Sequence, residues 1–210
     1  MNKNRLLLLL CLFFSAAAQA QGGLERLCGA YFRSNPYKFS YSQFVPHLLN
    51  DPTLKNTQLT RRSGDSLFYF GGEYTTHKPF DFPQKRIEIS LREAPVKVSD
   101  TLSLVDTIIV YTLTSTAENK PEIVKAVQKQ AERIHRKYRK LFAGTQYLTF
   151  QQAGLSDEGG IYNYYAPGYR LAPFAVTWEI TPDKKEVQLS LIFRIKIYEN
   201  EAGIPFPYYN

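Results

Sequence analysis

The sequence predicts a single α+β domain in which an antiparallel sheet of roughly five to seven strands is packed by one long amphipathic helix and two short N-terminal helices. Three observations carry this expectation. Apolar residues recur with a period of two in several separate runs, as on half-buried strands. One segment, Lys120 to Ala143, instead carries a continuous apolar stripe at helical spacing. No solenoid repeat, low-complexity tract or composition break divides the chain.

The N-terminus reads as a leader. It opens MNKNRLLLLLCLFFSAAAQAQGG, with Lys3 and Arg5 ahead of the apolar run Leu6 to Phe14 and a small-residue exit at Ala18-Gln19-Ala20. A charged start, a short apolar run and an A-x-A exit are the layout of a secretory signal peptide, and the run is short for a bilayer-spanning helix. Residues 1–20 are therefore expected to be removed, leaving one domain over 21–210 in the periplasm or outside the cell, with no transmembrane anchor after cleavage. Cys11 has Leu8-Leu9-Leu10 before it rather than a small residue, so a lipid attachment site is disfavoured. Loss of Lys3 and Arg5 takes the formal net charge from +7 to +5. Only Cys28 remains, so no intramolecular disulfide can form even where the compartment allows one.

Taken in order, Leu24, Leu27, Cys28 and Tyr31 share one helical face, and Phe44, Val45, Leu48 and Leu49 form a second short helix that should stop near Asn50-Asp51-Pro52. Leu67 to Phe70 is a compact apolar run. Ile87, Ile89 and Leu91 alternate with Arg86, Glu88, Ser90 and Arg92, and DTIIVYTLTST from Asp106 is β-branched on both faces, as in a central strand. The long helix has Ile123, Val127, Ala131, Ile134, Tyr138, Leu141 and Phe142 on its stripe. Asn119 with Glu122 suggests a capping pair, Pro121 a first turn, and Gly144 a C-terminal cap. TQYLTFQQ, FAVTWEI and EVQLSLIFRIKIY read as strands, and the TPDKKE turn joins the last two as an antiparallel pair.

No catalytic signature is present. There is no G-x-S-x-G elbow, and Cys28 sits on an apolar helix face where a thiol packs as a small hydrophobe. His47, His77 and His135 have no ligand-pair spacing, so no metal site and no cofactor are expected. Asp65, Glu73, Asp81, Asp157 and Glu158 offer carboxylates for an acid pair, but nothing in their spacing selects one. FGGEY and DEGG lack the lysine and helix start of a phosphate cradle and read as turns or strand irregularities.

Two surfaces are candidates for binding. The first is GGIYNYYAPGYR, residues 159–170, where Tyr162 and Tyr164 have the spacing of one strand face and read as structural. The Ala166-Pro167-Gly168 turn carries Tyr165, Tyr169 and Arg170 outward as ligand-binding candidates, with tyrosine rings for stacking and a guanidinium fork for an anion. The second is the basic side of the long helix, where Lys129, Arg133, Arg136 and Lys140 would attract anionic partners. Export disfavours nucleic acid and points to anionic glycans or lipid headgroups; a merely solvated basic face is the plain alternative. The expected function is that of an exported, non-catalytic cell-envelope protein that binds a ligand or envelope component through a sheet–helix groove or the Tyr-rich loop. An envelope hydrolase with an unrevealed acid pair and a structural accessory subunit of a surface complex are the alternatives.

Overall fold

Leu24, Leu27, Cys28 and Tyr31 turn to one side of a helix over residues 24–31 (α1), and all four are buried. The structure, a computed structural model, describes residues 24–39, 41–61, 63–64, 67–97, 105–142, 149–156, 158–165 and 172–196. The expected leader, the Gly144 cap, Asp65 and Asp157 lie outside the described residues. A 3-10 turn at Pro36–Lys38 follows α1, capped by the Asn35 side chain, which accepts from the Tyr37 amide. The second helix, α2 (Tyr41–Leu49), ends where expected, and the Asn50 backbone and side-chain amides both donate to the Pro46 carbonyl to close it.

A four-stranded meander comes next: β1 (Leu54–Thr60), β2 (Tyr69–Tyr74), β3 (Arg86–Lys97) and β4 (Val105–Glu118). The chain then forms α3 (Pro121–Phe142) and a second meander of β5 (Thr149–Ser156), β6 (Gly159–Tyr165), β7 (Phe174–Ile180) and β8 (Glu186–Lys196). Pro121 does open the long helix, as its fixed φ and missing N–H favour. Asn119 does not cap it as expected. Its side chain donates to the Lys184 carbonyl at 2.8 Å and its backbone to Lys185 at 3.0 Å, which ties the helix entry to the β7–β8 turn instead.

The strands form one eight-stranded sheet in the order β1-β2-β3-β4-β8-β7-β6-β5, with antiparallel pairing between neighbours. β4 and β8 meet at the centre, and β1 and β5 are the edges, so the described sheet does not close on itself. The α+β class with a long packing helix is as the sequence predicts, and the sheet is one strand wider than expected. β1 is the added strand. Its residues are exposed along almost its whole length and leave no apolar alternation to read. The run at Leu67 also shifts: the strand begins at Tyr69 and continues through Gly71 and Gly72, which lie inside β2 rather than at a turn.

The helices α1, α2 and α3 cover one face of this sheet. Val127, Ala131, Ile134 and Tyr138 of α3 are fully buried over β7 and β8, and the Tyr138 ring stacks on Phe174 at 4.2 Å. Phe32 and Phe44 close over Tyr111 at 4.5 and 5.3 Å, so α1 and α2 seal the other half. Burying each of the larger apolar side chains contributes about 1.5–3 kcal/mol, which makes this face the core. The space between α3 and the central strands is therefore filled with side chains. No helix among the described residues is long and apolar enough to cross a membrane.

Candidate functional site

Because strand side chains alternate, burial of Ile87, Ile89 and Leu91 under the helices turns Arg86, Glu88 and Ser90 to the opposite face, which no described helix covers. The same register sends Glu73, Thr114, Ser190 and Gln188 to that face. It carries a groove of about 520 Å³ lined by Asn56, Gln58, Tyr69, Gly71, Glu73, Arg86, Glu88, Ser90, Thr114 and Gln188, among others. That size is in the range of small-molecule sites.

Two local irregularities shape the groove. In β1 the register slips between Lys55 and Gln58, and Asn56 takes a left-handed φ of 52°, a conformation Asn tolerates better than most residues. This bulge aims the Asn56 amide at Glu73 Oε2, 3.0 Å away. In β2, Tyr69 folds along its own strand over Gly71. A methyl group at Gly71 would stand 2.6 Å from Tyr69 Oη and 3.2 Å from its Cζ, so the ring can lie there only because the residue is glycine. Tyr69 keeps 38% of its surface exposed and offers a flat apolar wall to an otherwise polar groove.

The charges in the groove are balanced locally. Glu73 and Glu88 are direct cross-strand partners, an arrangement that sets like charges against each other. Lys55 Nζ lies 3.2 Å from Glu73 and Arg86 Nε 3.0 Å from Glu88. Desolvation pushes the Glu73 pKa up, but hydrogen bonds from Lys55 and Asn56 and the charges of Lys55 and Arg86 outweigh it and hold the carboxyl below its ordinary range. Glu73 thus finds a carboxylate neighbour, but as an ionised, partnered group. Two of the other candidate carboxylates go elsewhere: Asp81 bonds Arg133, and Glu158 pairs with Lys184 at 2.9 Å.

The residues singled out in the sequence are distributed as follows. Tyr162 and Tyr164 are buried on the helix side of β6, one strand in from the edge, where the His135 ring stacks on Tyr162 at 4.9 Å and its Nδ1 lies 2.8 Å from Tyr164 Oη. They are structural, as their spacing suggests. Tyr165 closes β6 opposite Thr149; its side chain, together with Tyr169 and Arg170, lies outside the described residues. Lys129, Arg133, Arg136 and Lys140 lie along the solvent side of α3, with Arg133 bonded to Asp81 and Arg136 3.7 Å from Glu132. Cys28 is buried, and desolvation followed by the Glu25 charge pushes its thiol well above its ordinary pKa, so it packs as a protonated hydrophobe. His47 stacks on Phe39 and His77 Nε2 bonds the Tyr31 carbonyl, so neither joins His135 in a common cluster. Among the described residues no three His, Cys, Asp or Glu side chains gather as metal ligands.

Sequence reasoning misses the open-face groove. The alternation at residues 86–92 shows that Arg86, Glu88 and Ser90 share a face, but the strand order that brings β1 and β8 into the same sheet is not written in any local pattern. Compared with known protein families, with curated proteins and with solved structures, the chain finds no match.

Proposed function

We propose that the chain is an exported, non-catalytic binding protein of the cell envelope that holds a hydroxyl-rich ligand, a saccharide, in the groove on the open sheet face. The observation that carries this reading is the make-up of the groove: amides, hydroxyls and carboxylates around a single tyrosine ring seated on glycine. Sugars offer the complementary chemistry, with an apolar ring face to stack on Tyr69 and hydroxyls to exchange hydrogen bonds with Asn56, Gln58, Glu73, Glu88 and Gln188. The leader-like N-terminus supports export, and the basic side of α3 suits residence near anionic glycans or lipid headgroups.

Binding is favoured over hydrolysis by the state of the carboxylates. A glycoside-cleaving pair needs one carboxyl held protonated as general acid. Glu73 is instead held ionised, and Glu88 is ion-paired with Arg86.

The test is calorimetric titration of the purified chain with a panel of neutral and amino-sugar oligosaccharides. At least one should bind saturably without release of reducing ends, and Tyr69→Ala should weaken it by about tenfold, the loss of one stacking contact. If no saccharide binds, or if Tyr69→Ala and Gln188→Leu leave binding intact, the groove is not the site.

A further inference from the structure

At one end of the open-face groove, two buried polar atoms on adjacent strands make no hydrogen bond among the described residues. Thr116 of β4 is wholly buried, and its hydroxyl has no partner. Arg86 of β3 is its direct cross-strand partner, and the buried Arg86 Nε–H meets no acceptor in line. Glu88 Oε2 stands 3.0 Å from Nε and Glu186 Oε2 3.9 Å from Nη2, so the guanidinium is charge-paired while its Nε–H remains misaligned. Two residues back on the same face of β4, by contrast, the Thr114 hydroxyl shares a proton with Ser190 at 3.0 Å. Arg86 and Gln188 flank Thr116 on the neighbouring strands, and both line the groove. Buried polar atoms without partners are unfavourable, so two of them at the groove's end mark where a ligand atom completes the set.

The surroundings specify that atom. It accepts from the Arg86 Nε–H, which an ammonium group cannot do. The nearby charges are already balanced, Arg86 against Glu88, Lys55 against Glu73 and Lys85 against Glu186, so a further charge has no counterpart there. Of the uncharged acceptors, a hydroxyl also donates, and the Glu88 carboxylate is at hand to accept; a carbonyl oxygen would set its lone pairs against that carboxylate.

We infer that this end of the groove recognises one unsubstituted hydroxyl of a neutral saccharide, which accepts from the Arg86 Nε–H and the Thr116 hydroxyl and donates to the Glu88 carboxylate. The inference rests on the saccharide reading of the groove and narrows it to uncharged sugars with a free hydroxyl at that position. Arg86 keeps 36% of its side chain exposed, so a turn of that side chain admits the hydroxyl to Thr116. A sugar lacking the hydroxyl leaves both donors unpaired, which makes Thr116 and Arg86 specificity-determining residues.

The experiment has a ligand-free arm and a binding arm. Without ligand, Thr116→Val replaces an unpaired buried hydroxyl by a methyl group of the same shape and should raise the melting temperature or leave it unchanged. Ser115→Ala, which removes a hydroxyl that donates to Gln84 Oε1 at 3.4 Å, should lower it. A fall for Thr116→Val would show that the hydroxyl already has a partner in the free protein and would overturn the inference. In the binding arm, the purified chain is titrated with cellotriose, maltotriose and N-acetylchitotriose, with their singly deoxygenated derivatives, and with trigalacturonate as an anionic probe. A neutral probe should bind, and Thr116→Val should weaken it by about three- to tenfold, the worth of one hydrogen bond. Arg86→Lys, which keeps the charge and removes the Nε–H, should weaken it similarly. One deoxygenated derivative should bind the parent about tenfold more weakly than its complete sugar, and that difference should shrink in Thr116→Val. If a neutral probe binds but Thr116→Val preserves the full discrimination, or if trigalacturonate binds in preference to the neutral sugars, the groove remains a saccharide site and this inference alone fails. If no probe binds, the saccharide reading falls and the inference falls with it.

Discussion

At Gly71 a single methyl group separates packing from recognition. Alanine there would collide with the far end of the Tyr69 side chain, which is free to swing into solvent, and the backbone φ is ordinary. Gly71→Ala should therefore cost less than about 1 kcal/mol in unfolding free energy while displacing the ring and weakening saccharide binding as much as Tyr69→Ala does. Equal affinity for the variant and the parent would show that the ring is not the platform. His135 makes a different prediction. Desolvation first, then the Arg139 and Arg136 charges, lower its pKa below 6.5, with Glu132 opposing and the Tyr162 and Tyr164 rings packed against it. The folded state then binds fewer protons than the unfolded chain, so the stability this site contributes is present above pH 6.5 and is lost as pH falls through the folded pKa. Melting temperature should fall on acidification below that point, and His135→Gln should flatten this part of the profile. Of these residues, Cys28 and the Tyr162–Tyr164 pair are legible in the sequence because each belongs to a periodic apolar face. Tyr69 is not, since its role depends on a glycine two residues away and on the strands beside it.

Among the elements, α3 divides most cleanly. Its buried side is fully engaged, so Ile134→Ala should lower stability by about 2–5 kcal/mol, the usual cost of an aliphatic truncation in a packed core. Its basic side should tolerate change. Replacing Lys129, Arg136 and Lys140 with Gln removes solvent-side charges and one i,i+4 pair, Arg136 with Glu132, worth roughly a few tenths of a kcal/mol. The variant should melt within a few degrees of the parent and should lose salt-sensitive retention on anionic vesicles. Retention that survives the triple change would assign the attraction elsewhere. The apolar stripe makes this helix readable from the sequence alone, as does the alternation in β3, β7 and β8. β1 escapes such a reading because an exposed edge strand has no buried face to print a pattern. Asn119 misleads because its amide reaches across to Lys184, and a contact so distant in sequence leaves no local trace.

For the molecule as a whole, the sequence order conceals the spatial one: the last strand, β8, is inserted at the centre beside β4, and α3 carries the chain past it so that β5 can begin at the far edge. This arrangement explains why one face is sealed by helices and the other remains polar. It also sets a gradient of stability. β4 and β8 pair along nearly their full lengths from Ile108 opposite Lys196 to Glu118 opposite Glu186, and each has a second neighbour. β1 has one neighbour, a bulge and little burial, and the β5–β6 ladder is broken between Ala153 and Ser156. Amide exchange follows the free energy of the opening that exposes each bond, and edges open without the centre. Hydrogen exchange under native conditions should therefore be slowest in β4 and β8, intermediate in β3 and β7, and fastest in β1 and β5. Saccharide added to the parent should slow exchange in β1 and β2, where Asn56, Gln58 and Tyr69 meet the ligand, more than in β6 or β7. Protection of β1 equal to that of β4 without ligand would contradict the gradient, because an edge with so few buried side chains has nothing of its own to resist opening.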